Sequence, residues 1–184
     1  MKFNNHLDLE GAHAFLAPSG YHWVNYDEER LIDRYETHKA SMIGTELHEL
    51  AAKLIEKNIK LQPVKKALNR YVNDSIGFRM TPEQTLYYSE FCFGTADAIS
   101  FRDNKLMIFD LKTGRTKPSF TQLDVYAALF CLEYNYAPEN IEIVQRIYQA
   151  NGFTEQIGSP EVVRAIMNTI IQHDKVLQKI AKEG

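Results

Sequence analysis

The sequence predicts an α/β fold, a central mixed sheet flanked by helices, and three observations predict it. Two strand-like runs, Thr95–Phe101 and Lys105–Leu111, flank an Asp103-Asn104 reversal. A helical pattern over Phe120–Tyr134 then crosses to an alternating run, Glu142–Ala150. Helical patterns dominate the chain before residue 80 and return after Ser159.

In chain order, Asp27–Thr37 and Ala40–Asn58 read as helices, and Pro63 opens another through Ser75. Within the second, Leu47, Leu50, Ala51, Leu54 and Ile55 form an apolar stripe. His48 lies beside it, next to Gly44, Ala51 and Ala52, whose small size lets the helix approach a sheet closely; Glu46 and Glu49 face solvent. Gly77–Glu83 breaks the pattern before a strand at Leu86–Phe93. In Glu142–Ala150, Ile143, Gln145 and Ile147 alternate with Val144, Arg146 and Tyr148. Asn151-Gly152 turns the chain into Phe153–Ile157. Ser159-Pro160-Glu161 caps a last helix with Val162, Ile166, Ile170, Val176, Leu177 and Ile180 on its apolar side. The expected organisation is one domain, 1–184, with a mainly helical part at 1–80 and a sheet core at 84–158.

Chemistry concentrates where the apolar run Leu106-Met-Ile-Phe-Asp110-Leu-Lys112 ends. On a strand, Asp110 and Lys112 share a face, so a carboxylate and an ammonium project together toward one phosphate and its counterion. Asp97, on the neighbouring strand, is expected to come within reach of the same ion. Hard divalent cations take oxygen ligands and keep exchangeable waters, and a histidine such as His48 beside carboxylates also suits manganese. The plainer alternative makes Asp97 and Asp110 strand-end polar residues with Lys112 as their ion-pair partner, and His48 a half-buried histidine. Gln122 and Tyr126, four apart, share a helix face: Gln122 is placed to hold Lys112 or a phosphate, and Tyr126 to orient a backbone or a substrate. Glu90 joins the site's surroundings only if a bulge at Gly94 resets the strand's alternation.

The set Gly44…His48, Gly94-x-x-Asp97, Asp110-x-Lys112 and Gln122-x-x-x-Tyr126 resembles the PD-(D/E)XK nuclease superfamily, in its RecB-like and phage-type exonuclease branch. The resemblance covers about residues 14–150 and includes Leu16-Ala-Pro18-Ser19-Gly-Tyr21 as the branch's opening segment. It implies a restriction-endonuclease-like core. It implies His48, Asp97, Asp110 and the Leu111 carbonyl as ligands for Mg2+ or Mn2+, Lys112 as the catalytic lysine, and Gln122 and Tyr126 as the helical motif behind it. Some members carry an iron–sulfur cluster on four cysteines; here only Cys92 and Cys131 are present, so one chain cannot build one. The implied activity is metal-dependent exonucleolytic hydrolysis of DNA in phage-type recombination or DNA processing. The alternatives are an inactive nuclease-fold DNA-binding or structural protein, or a compact endonuclease. Implied partners are DNA, a single-strand annealing or binding protein, and further copies of the chain.

Composition agrees with an ordinary globular chain: 184 residues, 45% hydrophobic and 24% charged, with two cysteines and no disulfide framework. Neither a signal peptide nor a membrane-length apolar run stands out, which places the expected compartment in the cytoplasm of a bacterial or phage-infected cell. The net charge of -3 argues against broad nonspecific DNA affinity. Local positive charge counts for more, and Arg115 and Lys117, just after Lys112, are the expected phosphate contacts together with Gln122. Tyr21, Trp23 and Tyr26 are either stacking surfaces for bases or packing residues, packing being the commoner use.

Overall fold

The computed structural model describes residues 7, 11, 14–114 and 117–183. The order is a 3-10 segment (Pro18–Asn25), α1 (Glu28–Glu56), α2 (Ala67–Gly77), β1 (Thr81–Ser89), β2 (Cys92–Arg102), β3 (Lys105–Lys112), α3 (Thr121–Glu133), β4 (Glu142–Gln149), β5 (Gly152–Ile157) and α4 (Pro160–Glu183). The chain separates into two compact units, 1–45 and 46–184, with the boundary inside α1. In the first unit the 3-10 segment buries no residue. Trp23 donates its indole N–H to the Ala17 carbonyl, Phe15 packs edge-on against Tyr35, and the Arg30 guanidinium lies over Tyr26. Trp23 and Tyr26 are therefore packing residues there, while Tyr21 is exposed.

The second unit is α/β: five strands in the order β1-β2-β3-β4-β5, mixed because β3 and β4 run parallel and every other pair antiparallel. The parallel pair follows from the α3 crossover, since a helix returns the chain to the starting end of the sheet. Asp103 and Asn104 both take positive φ (50° and 56°) in the tight β2–β3 turn, the backbone such a hairpin needs. β3 is buried on both faces, as a strand inside a mixed sheet should be. Leu106 and Ile108 join a core with Leu123, Ala127 and Leu129 of α3 and Val163, Met167 and Ile170 of α4. Met107, Phe109 and Leu111 join a second core with Ala51 and Ile55 of α1 and Tyr71 and Val72 of α2. Each buried aliphatic or aromatic side chain contributes about 1.5–3 kcal/mol, so these two cores fix the sheet between two helical layers.

Several boundaries move. The two helices expected between 27 and 58 are one, since no proline or glycine interrupts residues 28–43. α2 begins at Ala67 rather than Pro63. The Asn73 side chain bonds both the N–H and the carbonyl of Leu61, which draws the preceding segment into an extended path. The β1–β2 reversal falls at Glu90-Phe91, not near Gly94. On α4 it is Val163, not Val162, that is buried, and Val176, Leu177 and Ile180 are exposed. Leu50 on α1 is likewise exposed. Among the described residues no helix is long and apolar enough to cross a membrane.

Candidate metal centre

β2 and β3 pair as far as Ala98 opposite Phe109. Asp97 and Asp110 are the next residue on each strand, just past that last pair. There the Asp97 carboxylate substitutes for a ladder carbonyl: its Oδ2 accepts the Leu111 N–H at 2.8 Å. Alternation also breaks at this point. Ala96 and Ile99 belong to the α3-side core while Ala98 belongs to the other, so two residues three apart share a side. The carboxylate is thereby free to meet α1, where His48 Nδ1 lies 3.3 Å from Asp97 Oδ2. Ala51 and Ala52, one turn further along α1, are small and buried.

A second acid completes the group. Pro82 and Gln84 on β1 pair with Ala98 and Ala96, which brackets Glu83 against Asp97. Glu83 carries a φ of 48°, a left-handed conformation uncommon outside glycine, asparagine and aspartate. One ligand atom from each of His48, Glu83 and Asp97 lies within 4.8 Å of the others. Backbone strain of this kind costs on the order of 1–3 kcal/mol and tends to mark functional sites.

Asp110 stands outside that trio and belongs to its electrostatic field. Only 3% exposed, it accepts a bond from Lys112 Nζ on Oδ1 (2.9 Å), while its Oδ2 is buried with no partner. Burial, then the Asp97 charge, raise its pKa above the usual aspartate value, against the pull of Lys112. Glu83, exposed on the whole, is raised by partial desolvation and then by Asp97. His48 is raised chiefly by its bond to Asp97, against the opposing effect of burial, with Glu83 and Asp110 adding to the rise. Tyr71 of α2, 2% exposed, is held firmly protonated by burial and by the three neighbouring acids. Lys112 and His48 offset this mutual repulsion only in part, since Asp110 and Glu83 both stay raised, and a bound cation relieves the remainder.

α3 holds the lysine. Lys112 Nζ also donates to Gln122 Oε1 at 2.9 Å, and Gln122 Nε2 reaches the Tyr126 hydroxyl at 3.4 Å. The Tyr126 hydroxyl donates to the Thr95 carbonyl of β2 at 2.6 Å, which fastens the helix to the sheet. Gly94 makes that approach possible: a Cβ there would stand 3.2 Å from Tyr126 Cε1. Just before α3, Ser119 Oγ accepts the Thr121 N–H at 3.3 Å.

Of the residues singled out from sequence, His48, Asp97, Asp110, Lys112, Gln122 and Tyr126 form one connected site. Leu111 enters through its N–H, bonded to Asp97. Lys117 is exposed and lines a cleft with Lys112, Ser119, Thr121 and Gln122. Arg115 lies outside the described residues. Glu90 does not reach the site: it is exposed in the β1–β2 turn, with five strand steps from Cys92 to Asp97, about 16 Å, in between. Glu83 is the acid that sequence reading missed. The reversal at Glu90-Phe91 alone would set position 83 opposite 98; the register shift between Tyr87 and Ser89 moves it opposite 97, and the sequence reading does not anticipate that shift. The cysteines are free, Cys131 buried and Cys92 partly so.

The class defined here is an α/β protein with a five-stranded mixed sheet flanked by helices and a His–acid cluster where two of its strands part. Comparison with known protein families, with characterised proteins and with solved structures finds no match.

Proposed function

We propose that this chain is a metal-dependent DNA exonuclease with a PD-(D/E)XK restriction-endonuclease-like core. The observation that carries the reading is the half-satisfied Asp110 carboxylate, one oxygen on Lys112 and the other buried without a partner, beside His48, Glu83 and Asp97. A buried orphan acceptor costs about 1–3 kcal/mol, and mixed nitrogen and oxygen donors suit Mg2+ or Mn2+. His48, Glu83, Asp97 and Asp110 would hold the ion, each in its deprotonated form. When bound, it supplies Lewis acidity toward a phosphate and a more acidic water.

The chain's own groups do the rest. Lys112, steadied between Asp110 and Gln122, presents a fixed ammonium to charge developing on the nonbridging phosphate oxygens. Gln122 and Tyr126 keep that ammonium from collapsing wholly onto Asp110. Lys117, in the adjoining cleft, gives the sugar–phosphate backbone a counter-charge.

The test is digestion of end-labelled linear single- and double-stranded DNA beside closed circles, in magnesium, manganese or chelator, with Asp110→Ala Lys112→Ala in parallel. Metal-dependent loss of label from linear DNA, absent in the variant and with circles intact, is expected. Cutting of circles would make the protein an endonuclease. Survival of every substrate, with DNA still bound, would make it a binding protein.

A further inference from the structure

β1 and β2 expose one face in register. Along it lie Glu83 and Asp97, then Thr85 opposite Thr95 with their hydroxyls 3.1 Å apart, then Tyr87 opposite Phe93. The two rings stack at 6.3 Å between centroids and 28° between planes, yet Tyr87 is 52% and Phe93 61% exposed. Two large aromatics left in water on adjacent strands lack a core to explain them. α3 packs on the other face, against Leu86, Gly94 and Ala96.

The pair is continuous with the acid cluster. Four strand steps separate Tyr87 from Glu83, about 13 Å, the rise of roughly four stacked nucleotides. Strand addition along this edge is blocked at Tyr87, whose N–H is already taken by the Glu133 carboxylate at 2.8 Å. An occupant must therefore lie on the face rather than extend the sheet. Flat, sequence-indifferent rings beside paired hydroxyls suit bases with exposed π-faces, and those exist only where DNA is unpaired.

We infer that Tyr87 and Phe93 form a stacking platform for unpaired bases, which gives the protein a preference for single-stranded ends. This rests on the nuclease reading and adds the substrate's form to it. The face carries the strand away from the acid cluster, with the paired threonines between offering hydrogen bonds to it.

The experiment uses the full chain and a short fluorescein-labelled oligothymidylate, read by anisotropy in calcium. The variant is Tyr87→Leu Phe93→Leu, which keeps apolar area and removes the π-faces; Tyr87→Trp restores stacking. The leucine variant should lose roughly 5- to 150-fold in affinity, Tyr87→Trp should retain it, and an abasic strand should bind wild type as weakly as the leucine variant binds bases. Thermal stabilisation by manganese should be the same in all three proteins, which shows an intact acid cluster. If the leucine variant binds like wild type while wild type still digests the oligonucleotide, the platform is refuted and the nuclease reading stands. If wild type neither binds nor digests it, both fall. Self-association kept by the leucine variant, with DNA affinity unmoved, would make the face a contact between copies and also refute the platform.

Discussion

Asp110→Asn should stabilise the metal-free protein and destroy its response to metal. The carboxylate is 3% exposed, with Oδ2 unpartnered and Asp97 repelling it. An orphaned buried polar atom costs about 1–3 kcal/mol and more when charged, so the amide, which leaves a polar atom in the same place, relieves only the charged excess and the repulsion from Asp97. The amide removes the charge and gives up the ion pair to Lys112, a partly exposed contact worth about 0–1 kcal/mol, and Lys112 keeps Gln122. The net gain is about 1 kcal/mol, or roughly 2–4 °C in Tm for a chain of this size. With metal at a hundred times Kd, the wild type should gain about 2.7 kcal/mol and overtake the variant. The sign with pH follows from the raised values of Asp110, Glu83 and His48. The folded state holds these protons more tightly than the unfolded one, so the stability they provide is full below the unfolded values. It is lost as pH rises from about 4 for the carboxylates and about 6.5 for histidine. In chelator, wild-type Tm should therefore fall with rising pH across that window, more steeply than in the variant. Thermal melts with chelator and with manganese check all of this. A variant that melts below wild type in chelator, or shows the same manganese shift, would refute the reasoning.

Glu83→Gln should weaken manganese binding by about tenfold or more while leaving the metal-free fold in place, since Glu83 is exposed and supplies charge rather than packing; calorimetric titration reads it, and unchanged affinity would remove Glu83 from the site. Gly94→Ala should destabilise by about 1–3 kcal/mol through contact with the Tyr126 ring, and Tyr126→Leu should recover part of that loss in a denaturant double-mutant cycle.

What the sequence disclosed was local. Asp110-x-Lys112 ends an apolar run on a strand buried on both faces, so period and composition expose it without knowledge of the partners. Gln122 and Tyr126 follow from helical spacing, and β4 buries Ile143 and Ile147 against one core and Val144 and Tyr148 against the other, as its alternation requires. What stayed hidden depended on pairing. Glu83 sits in an edge strand beside Pro82 with φ of 48°, features that argue against a strand when read in one dimension. Its closeness to Asp97 exists only once the reversal at Glu90-Phe91 and the register shift between Tyr87 and Ser89 are both fixed. The same error of reversal kept Glu90 near the site. Residue Val163 eluded the reading because it adjoins Val162, and a one-residue rotation of a helix leaves the hydrophobic period intact while changing which valine is buried.

The role of α3 yields the last prediction. Lys112 has two partners, and they pull it in opposite senses: Asp110 draws it toward the acids and Gln122 toward the cleft. Gln122 in turn is steadied by Tyr126, whose hydroxyl is fixed to β2 through Thr95. In Gln122→Leu the ammonium has only Asp110 and settles on the carboxylate, away from the position where phosphate charge develops. Turnover should then fall on the order of 10- to 100-fold, the scale of a misplaced electrostatic group, with KM less affected. Manganese affinity should fall by at most a few fold, because Gln122 touches none of the acids. Lys112→Ala should abolish most turnover, and adding Gln122→Leu to it should cost nothing more, since the glutamine acts only through the lysine. Additive losses in that double variant would mean that Gln122 touches substrate directly, and would make it a second phosphate contact beside Lys117.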